Sequence, residues 1–208
     1  NILVRNLRKE IEIFREENIP LFTEINTETQ KYAQLSGAMT VEVEGKTLTL
    51  QQASVYLMST NRSLREEVYR KINERRLRDK DELDALFSKL ISLRHQVAVN
   101  AGFKNFRDYM FKALGRFDYT PQDCFDFHDA IEHEVVPLLN EFAKERRKSL
   151  GVDALRPWDK AVDPEGREAL KPFTNGRELT EKTIQVFSKL DQYLGQCLSI
   201  MQAMGHLD

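Results

Sequence analysis

The chain has 208 residues and a mass of 24.3 kDa, 41% hydrophobic and 31% charged, a balance that fits a globular chain and excludes collagen, low-complexity disorder and a mucin-like stalk. Thirty-one Lys and Arg against 33 Asp and Glu leave a net charge of -2, so no global field recruits nucleic acid or an anionic membrane. Two cysteines, Cys124 and Cys197, are too few for a disulfide framework and too far apart for a metal knuckle, which predicts a reducing, cytoplasmic setting.

In chain order, Ile2 to Leu35 reads as helix, interrupted near Pro20 because the residue before a proline is pushed out of the α region. Thr40 to Thr49 alternates with strand period and turns at Glu44-Gly45, which predicts a β-hairpin standing apart as an appendage. Thr49 and Gln52 make a capping box for a short helix to about Met58. Leu64, Val68 and Ile72, then Leu83, Leu86, Leu90, Leu93 and Val97, fall in steps of three and four. That stripe predicts one long helix, opened by Ser63 with Glu66 and stopped at Gly102.

Thr120, Pro121 and Asp123 announce a second long helix, closed by Gly151, with Pro137 bending it. Its stripe of Cys124, His128, Ile131, Val135, Leu138 and Phe142 predicts a core face, so truncating Leu138 or Phe142 should cost roughly 2 to 5 kcal/mol and truncating His133 under about 0.5. Leu155 to Gly176, with three prolines, predicts an irregular but ordered connection. A third helix runs from Thr180 to Met204, with Thr183, Ile184, Phe187, Leu190, Leu194, Leu198 and Met201 on one face and Tyr193, Ile200 and Met204 off it. A helix apolar over more than one face needs partners on more than one side, and here one side is left open for a missing part or for homo-oligomers. The longest uncharged stretch, Gln192 to Leu207, carries Gln192, Gln196, Ser199, Gln202 and His206, which are costly in lipid, so no membrane span is expected. The chain opens at Asn1 with no initiator Met and no signal peptide, and is expected to be a piece of a longer protein. With no internal repeat and no linker, the fold class is mainly α: a bundle-like array of long antiparallel helices with one small hairpin at about 40–50, in a single unit spanning 1–208.

Candidate chemistry is sparse. His128 and His133 stand about 140° apart around a helix, so they cannot share a ligand face. His133-Glu134-Val135-Val136-Pro137 begins like a zincin motif but has proline where the second histidine belongs. His128 reads more simply as a satisfied core residue. Cys124 and Cys197 read as buried thiols, and no Gly-x-Ser-x-Gly or phosphate-binding glycine loop is present. The basic run Arg70 to Lys80 is neutralised once its window is widened to Arg65 through Asp84, where seven acids face seven bases. Glu66 with Arg70, Glu67 with Lys71 and Glu74 with Arg78 predict a solvated, ion-paired face. Trp158, the only tryptophan, reads as a structural plug rather than a ligand contact.

Several segments resemble, in order, the helical half of the oligoendopeptidase F family of zinc metallopeptidases, related to thimet-type oligopeptidases. They are Arg62 to Lys71, Ala101-Gly102-Phe103, Asp108-Tyr109, Arg116 to Thr120, Leu150-Gly151-Val152, Leu155 to Asp159 and Lys171-Pro172-Phe173. The resemblance implies a helical protein with an internal channel that cuts short peptides, using one zinc held by His-Glu-x-x-His and a downstream Glu. That motif is not in this sequence and by family layout would follow Asp208, so no catalytic, cofactor-binding or metal position is carried over. The expectation is the channel-wall portion of such an enzyme, lacking its C-terminal catalytic part and binding no zinc itself. The alternative is a free-standing helical interaction module without enzymatic activity.

Overall fold

The computed structural model describes residues 1–167 and 170–207. The chain divides into two compact units, Asn1–Gly166 and Arg167–Asp208, at a boundary that no shift of composition marks.

The first unit opens with α1 (Ile2–Ile13) and α2 (Asn18–Gly37). The break falls at Phe14, whose backbone is extended, and Pro20 sits in the first turn of α2, where its missing N–H costs nothing. Strands β1 (Thr40–Val43) and β2 (Lys46–Thr49) pair antiparallel with Val41 opposite Leu48. Glu44 and Gly45, at φ 50° and 73°, make the tight turn. The hairpin is no appendage: Val43 is fully buried and shares a core with Ala53, Val68 and Ile72. One face of its pleat therefore belongs to the interior. The Thr49–Gln52 capping box forms as expected, opening α3 (Leu50–Ser54) and a 3-10 turn to Met58.

The long helix expected from Ser63 to Gly102 is broken. α4 (Arg62–Arg78), capped by Asn61, ends at Asp79, whose φ of -98° and ψ of 13° leave the helical region, and α5 (Lys80–Asn100) follows. Between Ile72 and Leu83 the only aliphatic side chain is Leu77, which is exposed, so no packing holds that stretch straight. α5 ends at Gly102, where φ is 86° and Phe103 N–H reaches back to Ala98 O at 2.9 Å, a termination that needs a left-handed residue. The next helix, α6 (Phe106–Ala113), went unread in the sequence although Asn105 caps it by accepting from Asp108 N–H at 2.9 Å.

Two polar joints pin α2 to α5. Buried Asn18 donates to Val97 O at 3.0 Å and accepts from Asn100 at 2.8 Å. Buried Glu28 takes Lys31 and Lys89, each at 2.8 Å, and Glu24 together with Glu28 pushes the Lys89 ammonium up to about 12. Ile13, Val97, Ala98, Ala101 and Tyr109 form the second core of the unit.

α7 (Pro121–Ala130) and α8 (Val136–Ser149) run on through a π-helical turn over Ile131–Val135. The turn answers Pro137, which has no N–H and whose ring crowds the carbonyl four residues back, that of His133. The expected core face here is overturned: no side chain along α7, the π turn or α8 is buried, and Leu138 and Phe142 are 51% and 53% exposed. His128, expected in the core, is exposed as well. Amphipathic spacing locates a face without supplying what covers it.

In the second unit the helix expected from Thr180 to Met204 is a hairpin of two, α9 (Gly176–Leu190) and α10 (Gln192–Ala203). Asp191 is extended and its carboxylate accepts from Tyr193 N–H at 2.7 Å, so one short polar side chain ends one helix and starts the next. Gly195 allows the close approach, since a Cβ there would stand 2.8 Å from Ser188 Cα and 2.0 Å from its Oγ. Gly195→Ala should force the two helices apart, costing about 1–3 kcal/mol of stability, as a lowered unfolding midpoint followed by NMR of the Ser188 and Ser199 amides. An unchanged midpoint would mean that the crossing is not tight.

Candidate functional site

The strongest concentration of buried charge gathers on the segment Leu155–Asp159. Pro157–Asp159 forms a 3-10 turn, and Asp159, with no exposed surface, points its carboxylate into the unit. Arg62 meets it with Nε at 3.0 Å and Nη2 at 2.8 Å, Arg65 with Nη2 at 2.9 Å, and the Arg156 N–H donates at 2.9 Å. Arg65, only 3% exposed, also donates to the carbonyls of Trp158, Ser59 and Thr60. From α8, Arg146 donates to Asp159 O at 2.9 Å and to Val162 O.

Electrostatics fix what this cluster does. The Arg62 guanidinium above all, then the Arg156 N–H and Arg65, hold the Asp159 carboxyl well below the usual carboxylate range, against burial, which pushes it up. A carboxylate so saturated with donors moves no proton near neutral pH. Its work is to tie the loop after α8 to the start of α4. Arg65 and Arg62, three residues apart, lie on one face of α4, and that spacing was the signal available in the sequence. Reading the whole of Arg65–Asp84 as a solvated face missed it, because burial is decided residue by residue.

The rest of that face is solvated. Glu66–Arg70 and Glu67–Lys71 pair at 2.7 and 2.6 Å as expected, whereas Arg75 pairs with Asp79 at 2.6 Å and the expected Glu74–Arg78 pair does not form. Trp158 lies against α4, its ring 5.6 Å from that of Tyr69 with the Arg70 guanidinium 5.4 Å from its centroid. Its indole Nε1 is buried with no acceptor among the described residues.

The histidines stay apart. His95 lies on α5, His128 on α7, His133 in the π turn with Nδ1 2.7 Å from Asp129 O, and His206 beyond α10. Cys124 and Cys197 are half-buried in different units. Among the described residues no group of three or more His, Cys, Asp or Glu could hold a metal ion. The donor set among the described residues does not fit a catalytic zinc, which takes three protein ligands.

Two other segments singled out in the sequence, Arg116–Thr120 and Leu150–Val152, also act as joints. Arg5 of α1 reaches Asp118 at 2.9 Å and stands 4.3 Å over Phe117, fastening α1 to Arg116–Thr120. Buried Lys9 donates to Ala113 O at the end of α6, where a cation meets helix carbonyls. Gly151, at φ 64°, closes α8 with Val152 N–H on Arg147 O.

The family model described as Peptidase family M3 matches residues 55–190, well over half of the chain. Three solved structures share the fold. An oligoendopeptidase F from Bacillus anthracis superposes with a TM-score of 0.89 at 20% identity, over 97% of this chain and 37% of its own. PZ peptidase A with an inhibitor gives 0.92 at 22%, over 98% and 36%, and a second oligoendopeptidase F gives 0.91 at 21%, over 97% and 36%. The chain thus spans little more than a third of each of these structures. No curated protein sequence matches at comparable significance.

Proposed function

Because the chain belongs to peptidase family M3, we propose that it is the helical, channel-wall portion of a zinc-dependent oligoendopeptidase acting on short peptides, itself without the catalytic centre. The observation that carries this reading is the pairing of near-complete coverage of this chain with about a third of each neighbour's length. The dispersed histidines support it, since a metallopeptidase needs converging ligands and the described residues bring none together. The zinc, the peptide substrates and the catalytic part all belong to the longer protein in this reading. Among the described residues no helix is long and apolar enough to cross a membrane, and the proposed setting is the cytoplasm.

A quenched-fluorescence peptide assay tests the assignment. The isolated chain should leave short peptides intact, whereas the natural gene product that contains it should cleave them and lose that activity to a chelator. Chelator-sensitive cleavage by the chain alone would overturn the placement of the catalytic centre outside it, and a gene product that contains the chain but cleaves no peptide would favour the free-standing module instead.

A further inference from the structure

α7, the π turn and α8 form one helix from Pro121 to Ser149, roughly 40 Å long at 1.5 Å per residue. Phe127, Ile131, Val135, Leu138, Leu139 and Phe142 line one side, all exposed except the half-buried Ile131. Spacings of three and four place them within a single stripe. The helix is nevertheless aimed with care. Arg146, near its end, is clamped to the carbonyls of Asp159 and Val162, so a polar joint sets its direction while the apolar stripe takes no part. A stripe of that length is not left to water on a soluble protein.

We propose that this stripe seats the portion of the M3 fold that lies outside the chain, so that the occupant is an apolar surface of the same longer protein and not a second copy or a peptide substrate. The inference rests on the reading of the chain as one part of a larger peptidase. Two observations identify the occupant. The family match at residues 55–190 runs through the whole helix, so the helix is part of the shared fold. The matched structures hold nearly two thirds of their length beyond the part that superposes on this chain, and that length must cover faces the shared part leaves bare.

The test is Leu138→Glu combined with Phe142→Glu, made both in the chain and in the natural gene product that contains it. In the isolated chain the melting midpoint should not move and binding of the apolar dye ANS should drop. In the longer product the midpoint should fall by several degrees, and amides of 121–149, slow to exchange in the wild type, should exchange as fast as in the isolated chain. A longer product indifferent to the double variant overturns the proposal, as does a wild-type chain that sediments as a dimer split by the variant. So does an unchanged midpoint joined to a raised KM, which would put the stripe on the substrate. A covered stripe in a longer product that neither holds zinc nor cleaves peptides would uphold this surface while sinking the peptidase reading.

Discussion

Asp159→Ala is expected to lower the stability of the first unit by about 3–5 kcal/mol, because it leaves a buried guanidinium with no counter-charge. Arg62, whose side chain is 43% exposed, can turn to water, but Arg65 at 3% cannot. The Arg156 N–H loses its acceptor in the same change. Urea unfolding at neutral pH, followed by circular dichroism, reads the loss directly, and a change under about 1 kcal/mol would reduce the cluster to a surface ion pair. Acid supplies an independent check. Asp159 has a folded pKa below its unfolded one, so its stabilisation is fully present above the ordinary carboxylate range, about 4, and is lost as pH falls from there toward the depressed folded value. The gap between wild type and Asp159→Ala should therefore narrow in acid, and a gap that widens would contradict the ion-pair account.

Tyr109→Ala should cost about 3–5 kcal/mol, the usual result of emptying a buried aromatic site. The ring is 5% exposed, edge-on to Phe103 at 5.7 Å and stacked on Phe106 at 5.9 Å, and it closes the core made with Ile13 and Val97. Burial also pushes its hydroxyl above the usual tyrosine range. Leu77→Ala, at a side chain 65% exposed on the unpacked stretch before Asp79, should stay within about 0.5 kcal/mol. Chemical denaturation of the two variants gives the comparison, and equal losses would mean that the core around α6 is loose.

These two residues show how far the sequence could be read. Asp108-Tyr109 and Leu155 to Asp159 stood out as segments resembling the peptidase family, and the family match together with the shared fold agrees with that resemblance. Their roles were not legible, because position in a motif does not distinguish a reacting group from a joint. Only the convergence of Arg62, Arg65 and Arg146 on one loop does that, and it joins residues nearly a hundred positions apart. The hairpin, the Thr49–Gln52 capping box and the mainly helical class followed from local rules that act over three or four residues, whereas the box expected at Ser63 with Glu66 does not form, because Asn61 caps α4 two residues earlier. The breaks at Asp79 and Asp191 did not, since periodicity can be continued across a residue whose side chain or lack of packing ends the helix. On α7 and α8 the stripe was read correctly as a face, and its burial wrongly, because covering it takes partners that helical spacing does not name.

In the proposed reading this chain contributes scaffold to a zinc peptidase and no metal ligands. Mass-spectrometric metal analysis of the purified chain, dialysed against zinc beside the natural gene product that contains it, tests this most directly. Zinc should stay well below stoichiometric in the chain while the longer product holds one; one tightly held zinc per isolated chain would overturn the proposed role.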